Sequence, residues 1–208
     1  MESYARVLVP TTFNPSDKSS NVALSGGNLT AHNDGSLGSA DSGVRSILNQ
    51  KSGKYYMEMT VTALGTGADT GFGVTISSAP LNTVGNTVAN AAIWYPSGSL
   101  WINSINTGSI GTYTLNDLLA LALDLDNEKV WFRKGAAGNW NNSGTDNPAT
   151  NTGGKLITSF ATTNVTAIYS LFVTGGVGAS GADTFVANYG ASAFTGTPPA
   201  GFTTGFKS

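Results

Sequence analysis

A hydrophobic pattern with a period of two, broken every few residues by glycine, asparagine, serine or threonine, runs through this chain and leaves little room for helix. Residues 54–64 show it most cleanly. Tyr55, Met57, Met59 and Val61 alternate with Tyr56, Glu58, Thr60 and Thr62, which predicts a strand with one face in a core and the other toward solvent. Residues 71–77 repeat the pattern in Phe72, Val74 and Ile76, and Gly73 inside the run marks a bulge or a close backbone approach. Residues 91–102 predict a hairpin turning at Pro96-Ser97-Gly98-Ser99. Residues 118–126 and 129–133 predict a second hairpin around Asp126-Asn127-Glu128. In it Leu121, Leu123, Leu125, Val130 and Phe132 take the core side and Trp131 the opposite one. Residues 165–174 and 184–189 complete the strands. Helical spacing is confined to the leucines of residues 115–123, enough for one short turn near Asn116-Asp117. Gly26-Gly27 and Gly175-Gly176 predict tight turns; neither stands between a strand and a helix as a phosphate cradle would. The expectation is an all-β fold, a two-sheet antiparallel β-sandwich, as one domain over residues 1–208, with Leu123, Phe132, Phe172 and Val186 facing inward.

A chain of 208 residues buries about 70% of the surface its unfolded form exposes, so its core needs neither a disulfide nor a metal. Cysteine is absent, which excludes a disulfide scaffold, a thiolate metal site and a cysteine nucleophile together. Only 11% of residues are charged and the net charge is −2. The scattered lysines and arginines form no basic patch, so nucleic acid is not an expected partner. Residues 1–10 lack the basic-then-apolar pattern of a signal peptide. No run of about 18 apolar residues occurs, so membrane insertion is not expected.

Three segments resemble the SPRY (B30.2-like) domain, a concanavalin-A-like sandwich. They are Ser52-Gly53-Lys54-Tyr55-Tyr56-Met57-Glu58, the hairpin from Leu121 through Asp124-Leu125-Asp126-Asn127-Glu128 to Trp131-Phe132-Arg133-Lys134, and Val186-Ala187-Asn188-Tyr189-Gly190 followed by Phe194 and Pro198-Pro199-Ala200-Gly201-Phe202. Glu128 departs from the family, where glycine is usual at that turn. Thr11-Thr12-Phe13-Asn14-Pro15-Ser16-Asp17-Lys18-Ser19, Asn28-Leu29-Thr30-Ala31 and Asn147-Pro148-Ala149-Thr150 with Gly153-Gly154 are similar to SPRY-like proteins of bacteriophages. That resemblance implies a virion protein, capsid decoration or tail accessory, that stabilises the particle or recognises a host surface glycan or protein. Its expected partners are other virion proteins, and a homo-oligomer is compatible with it.

Candidate chemistry is sparse. Asp124, Asp126 and Glu128 are spaced i, i+2, i+4. They serve as turn caps, as part of a calcium site with Asp69, Asn127, Asp146 and Asp183, or as glycosidase carboxylates; the turn reading is preferred because Asp-Asn at a hairpin tip throws the next residue off the strand face. Calcium wants about six to eight oxygens, and no loop offers a dense series. His32, the sole histidine, reads as a solvated loop residue, and no serine sits in a nucleophile-elbow pattern. No catalytic residue, cofactor or metal is therefore assigned. The binding candidates are aromatic: Trp94, Tyr95, Trp101 and Trp140, with Asn141 beside the last. Trp140 sits among wholly polar neighbours in residues 139–155, which read as a long surface loop, and divides evenly between ligand contact and edge packing. Residues 1–14 are a candidate attachment segment because Tyr4, Val7, Leu8 and Val9 are unusually apolar for a free terminus; the alternative makes residues 7–12 an edge strand. The leading function is non-enzymatic binding at a virion surface. The alternative is a sandwich-fold glycan hydrolase or depolymerase, which would need two convergent carboxylates about 5–9.5 Å apart.

Overall fold

The computed structural model describes residues 9–33, 42–65, 69–81, 90–158, 160, 164–172 and 183–207, with the side chains of 69 and 167–172 outside that description. In chain order the strands are β1 (Phe13–Lys18), β2 (Val22–Ser25), β3 (Thr30–Asn33), β4 (Ser42–Ser46), β5 (Lys54–Ala63), β6 (Asp69–Ile76), β7 (Ala91–Trp94), β8 (Ser99–Ile102), β9 (Ile105–Ser109), β10 (Leu118–Asp124), β11 (Lys129–Lys134), β12 (Lys155–Leu156), β13 (Val165–Phe172), β14 (Asp183–Asn188) and β15 (Thr203–Thr204). One sheet has the order β1-β4-β13-β6-β7-β8-β9; the other runs β12-β11-β10-β5-β14-β3-β2, with β15 added beside β5. Every pairing is antiparallel except β15 with β5, and no α-helix occurs among the described residues. The fold is the expected two-sheet antiparallel sandwich.

The inward positions of the two sheets meet in one core. Met57, Met59 and Val61 of β5, Leu121 and Leu123 of β10, and Val130 and Phe132 of β11 pack against Phe72 and Val74 of β6 and Trp94 of β7. Both predicted hairpins are present, and Trp131 lies opposite the core as expected. Gly73 is required by close approach: a Cβ there would stand against the backbone carbonyl of Ala92. Asn116, at φ 69°, closes a turn into β10 where one helical turn was conceivable. Gly26 and Gly27, both at positive φ, make the turn between β2 and β3, while Gly175-Gly176 lies outside the described residues.

Four expectations need correction. β5 is not half-solvated: Tyr56 and Glu58 are as buried as Met57 and Met59, because the C-terminal segment crosses the outer face of its sheet. Phe202 and Phe194 pack there with Tyr56, Ala120, Ala122 and Trp131. β14 has the opposite phase to the one expected. Phe185 and Ala187 face the core, and Val186 is only half-buried on the outer side. The side chain of Phe172 lies outside the described residues. His32 is no loop residue; it sits on β3 and its Nδ1 lies 2.8 Å from the Thr184 hydroxyl across the ladder. Finally, residues 139–155 fold into a cap with two 3-10 turns, Trp140–Asn142 and Pro148–Thr150, that bury Trp140, Asn141 and Pro148.

Candidate functional site

The five binding candidates are not brought together. Trp94 is 1% exposed and lies between the sheets, where its ring meets Tyr113 and Phe132 and its Nε1 donates to the carbonyl of Gly111 at 2.9 Å. It faces inward because β7 pairs Trp94 with Phe72 of the core row. Tyr95 and Trp101 belong to the outer face of the seven-stranded sheet, Tyr95 buried with Ala91 and Ile93, and Trp101 half-buried against them. Trp140 and Asn141 lie on the outer face of the other sheet. Trp94 and Tyr95 are buried among packing residues, and Trp140, 8% exposed, packs at the edge of its sheet.

Asn141 is also structural. Pairing of β12 with β11 stops at Val130, which leaves the next amide of the edge open. The Asn141 Oδ1 accepts from the Phe132 amide at 3.0 Å, and its Nδ2 donates to Asp146 at 2.8 Å. Asp146 also accepts from the Gly154 amide at 3.0 Å. Burial works to raise the Asp146 pKa, but the bonds from Asn141 and Gly154 hold it below the usual carboxylate value. Trp131 completes the cap by donating to the carbonyl of Thr152 at 3.0 Å.

Trp140 stands beside a polar cluster that sequence reasoning missed. Glu58 and Arg133 lie on either side of Ala120 in adjacent strands. Tyr56 bridges them: its hydroxyl donates to Glu58 Oε1 at 2.7 Å and accepts from Arg133 Nη2 at 3.2 Å. Burial, then the bond to Glu58, pushes the Tyr56 pKa well above its ordinary value. Glu58 further accepts the amides of Thr195 at 3.0 Å and Gly196 at 2.7 Å, so it anchors the C-terminal segment. The Arg133 guanidinium lies 4.5 Å from the centre of the Trp140 ring. The available signal was Glu58 between two methionines of a strand whose outer face also carries a tyrosine: a charge at a position that would be buried if anything covered that face.

The acidic hairpin behaves as a turn. Asp124, fully buried, accepts the backbone amide and side-chain amide of Asn127 at 3.0 and 2.8 Å and pairs with Lys54 at 2.9 Å. Asp126 accepts the Gly53 amide at 2.7 Å. Glu128 takes φ 55°, the left-handed conformation that suits glycine. Asp183 accepts the Thr70 hydroxyl at 2.6 Å and the Gly65 amide at 2.7 Å; burial raises its pKa, partly opposed by these bonds and by His32. No group of three or more His, Asp or Glu placed to hold a metal ion occurs among the described residues, and no helix among them is long and apolar enough to cross a membrane.

Of the attachment candidates, Tyr4, Val7 and Leu8 lie outside the described residues, and Val9 is 59% exposed. The sandwich proper starts just after it. Pro10 bridges Lys207, the Thr11 amide donates to the carbonyl of Phe206 at 2.9 Å, and Phe13 is buried at the head of β1. Residues 11–14 are thus part of the sandwich body. Val9, Pro10, Thr11 and Thr12 with Ile47 and Leu48 line an apolar depression, and Ile47 is 49% exposed beside it.

Solved structures share this architecture. The SPRY domain of human HERC1 superposes with a TM-score of 0.62 at 13% identity, covering 84% of this chain and 96% of that one. The fold is that of a SPRY domain. The TRIM65 PSpry domain follows with a TM-score of 0.56 at 14% identity, covering 86% and 92%, and a human SPRY domain with 0.53 at 10%, covering 83% and 98%. No protein-family model matches the sequence, and no curated protein is similar to it. The SPRY likeness is thus one of backbone architecture at very low sequence identity. The strands that carry the sequence resemblance, β11, β10, β5 and β14, are four consecutive neighbours in the middle of the eight-stranded sheet.

Proposed function

We propose that this SPRY-fold protein is a non-enzymatic binding protein of a bacteriophage particle, attached to capsid or tail, that displays the sandwich to stabilise the particle or to engage a host surface protein or glycan. The observation that carries the binding side of this reading is the fate of the carboxylates. Glu58, Asp124, Asp126, Asp146 and Asp183 each accept hydrogen bonds from backbone amides or neighbouring side chains that hold turns, caps or the C-terminal segment in place. A glycosidase keeps one such group free to protonate a leaving group and the other free to attack or to activate water. The phage assignment is supported by the segments similar to phage SPRY-like proteins. Attachment is ascribed to the residues ahead of Pro10, where the exposed Val9 and Ile47 flank an apolar depression.

The test follows from where the body begins. A protein lacking residues 1–9 retains the Thr11–Phe206 bond and the burial of Phe13. It is expected to melt within a few degrees of the intact protein and to be lost from purified particles. A truncated protein that unfolds, or one that is incorporated normally, overturns the assignment of attachment to this segment. Release of reducing ends from host polysaccharide that disappears in Asp124→Asn would overturn the non-enzymatic reading.

A further inference from the structure

The outer face of the eight-stranded sheet holds a buried cation that no carboxylate among the described residues touches directly; Glu58 reaches it only through the Tyr56 hydroxyl. Arg133 is 8% exposed. Its natural counter-ion, Glu58, stands across Ala120 with its oxygens already engaged by the Tyr56 hydroxyl and the amides of Thr195 and Gly196. The ion pairs among the described residues involve Arg45, Lys54 and Lys134, not Arg133. A guanidinium offers five N–H donors. Here Nη2 makes two long bonds, 3.2 Å to the Tyr56 hydroxyl and 3.4 Å to the carbonyl of Thr197. Nε is enclosed and has no partner, and Nη1, which is not enclosed, donates to none of the described residues. Buried cations ordinarily have their donors filled.

The group is also held still. The Trp140 ring lies 4.5 Å from it, and Gly196 closes over it so tightly that a Cβ there would come within 2.7 Å of Nη2 and 2.8 Å of the Tyr56 hydroxyl. Contrast Arg45, equally buried, whose Nε and Nη2 grip both oxygens of Asp17 at 2.8 and 2.7 Å. Among the described residues, one of these two arginines has a carboxylate in direct contact and the other does not.

We propose that Arg133 is a seat for a carboxylate supplied by a polypeptide partner, as an acidic side group or a terminal carboxylate. The proposal deepens the binding reading and rests on it. Nη1 presents the open edge of the guanidinium, where a carboxylate would make a charge-assisted hydrogen bond, and a cation already fixed by Trp140 and Tyr56 loses little further freedom when it binds. A peptide fits better than a sugar. Trp140 is itself nearly enclosed with Arg133 against its ring, so it offers no platform for a pyranose. The carbonyl of Thr197, 3.4 Å from Nη2 and on an exposed residue, offers an acceptor to a partner's backbone amide beside the guanidinium.

The intact protein has only three arginines, Arg6, Arg45 and Arg133, so their Nε–H signals can be followed individually by NMR. The probes are glutamate blocked at both backbone ends, blocked glutamine and glucuronate, at constant ionic strength. Blocked glutamate is expected to move the Arg133 signal and the Trp140 indole signal saturably in the millimolar range. Blocked glutamine should move neither, and the Arg45 signal should stay in place. Arg133→Lys keeps the charge but loses the plane, and should abolish the saturable response of Trp140. Absence of saturation in the wild-type protein, or an equal response to blocked glutamine, overturns the seat. Saturation by glucuronate but not by blocked glutamate overturns the polypeptide assignment. Each result is independent of whether the protein lacking residues 1–9 enters particles, so the seat and the attachment can fail separately.

Discussion

At the scale of single residues, the tip of the hairpin between β10 and β11 holds a strained position. Glu128 sits at φ 55°, a conformation that costs an L-residue about 1–2 kcal/mol, and its carbonyl still accepts the Ile157 amide at 2.9 Å. Glycine keeps that backbone bond and removes the strain, at the price of more freedom in the unfolded state. Glu128→Gly is therefore expected to stabilise the protein by up to about 1 kcal/mol, read as a higher denaturation midpoint at unchanged slope. Two buried aspartates pull pH dependence in opposite directions. Burial works to raise the Asp124 pKa, but Lys54 and Asn127 more than offset it, so the folded value lies below the unfolded one. That stabilisation is complete above the unfolded pKa and is lost as pH falls through the folded value. Asp183 is raised by burial, so its ionisation costs stability above the folded pKa, and the cost is relieved as pH falls toward the unfolded value. Comparing melting temperatures across acidic pH, Asp124→Asn should flatten the loss at the acid end, and Asp183→Asn should remove the gain on mild acidification.

At the scale of elements, the phase of β14 is decided by its neighbours rather than by its own residues. In isolation Thr184, Val186 and Asn188 alternate as plausibly as Phe185 and Ala187. Pairing Phe185 with Val61 of β5 and Ala31 of β3 puts the phenyl ring in the core. Phe185→Ala is expected to cost about 3–5 kcal/mol and Val186→Ala less than about 1.5 kcal/mol, measured by chemical denaturation; equal costs would reverse the phase. The same dependence on neighbours separates what was legible beforehand from what was not. The hairpin of β10 and β11 carried its own evidence, because Leu121, Leu123, Val130 and Phe132 alternate on both sides of a strong turn. The outer face of β5 did not, since what covers Tyr56 and Glu58 arrives from residues 194–202, more than a hundred positions away. Trp140 looked exposed for a related reason: its polar sequence neighbours are not its neighbours in space, which are Arg133 and Tyr56. His32 was mistaken for a loop residue because a four-residue strand amid glycine and asparagine has too few positions to establish a period.

At the scale of the whole molecule, the sheets are closed off at their margins by short or interrupted strands. β12 has two residues and hands the edge of β11 to the Asn141 side chain. The pairing of β9 with β8 is irregular, and the Gly108 amide turns back to the Asn106 side chain at 2.9 Å. β1 carries Pro15 and an irregular register with β4. Irregular, foreshortened margins discourage strand pairing between molecules, which suits the proposed display on a particle surface. The remaining feature of this scale is the meeting of Pro10 with Lys207 and of Thr11 with Phe206. Mechanically, that contact is a clasp. Tension applied across these two positions would first break the Thr11–Phe206 bond of that short antiparallel contact, before reaching Phe13 or Phe206 in the core. A pull on the leading strand alone is borne differently, because the Thr12 carbonyl also receives the Ile47 amide and shares the load with β4. Anchored by one end, the sandwich resists in shear; gripped by both, it opens like a zip.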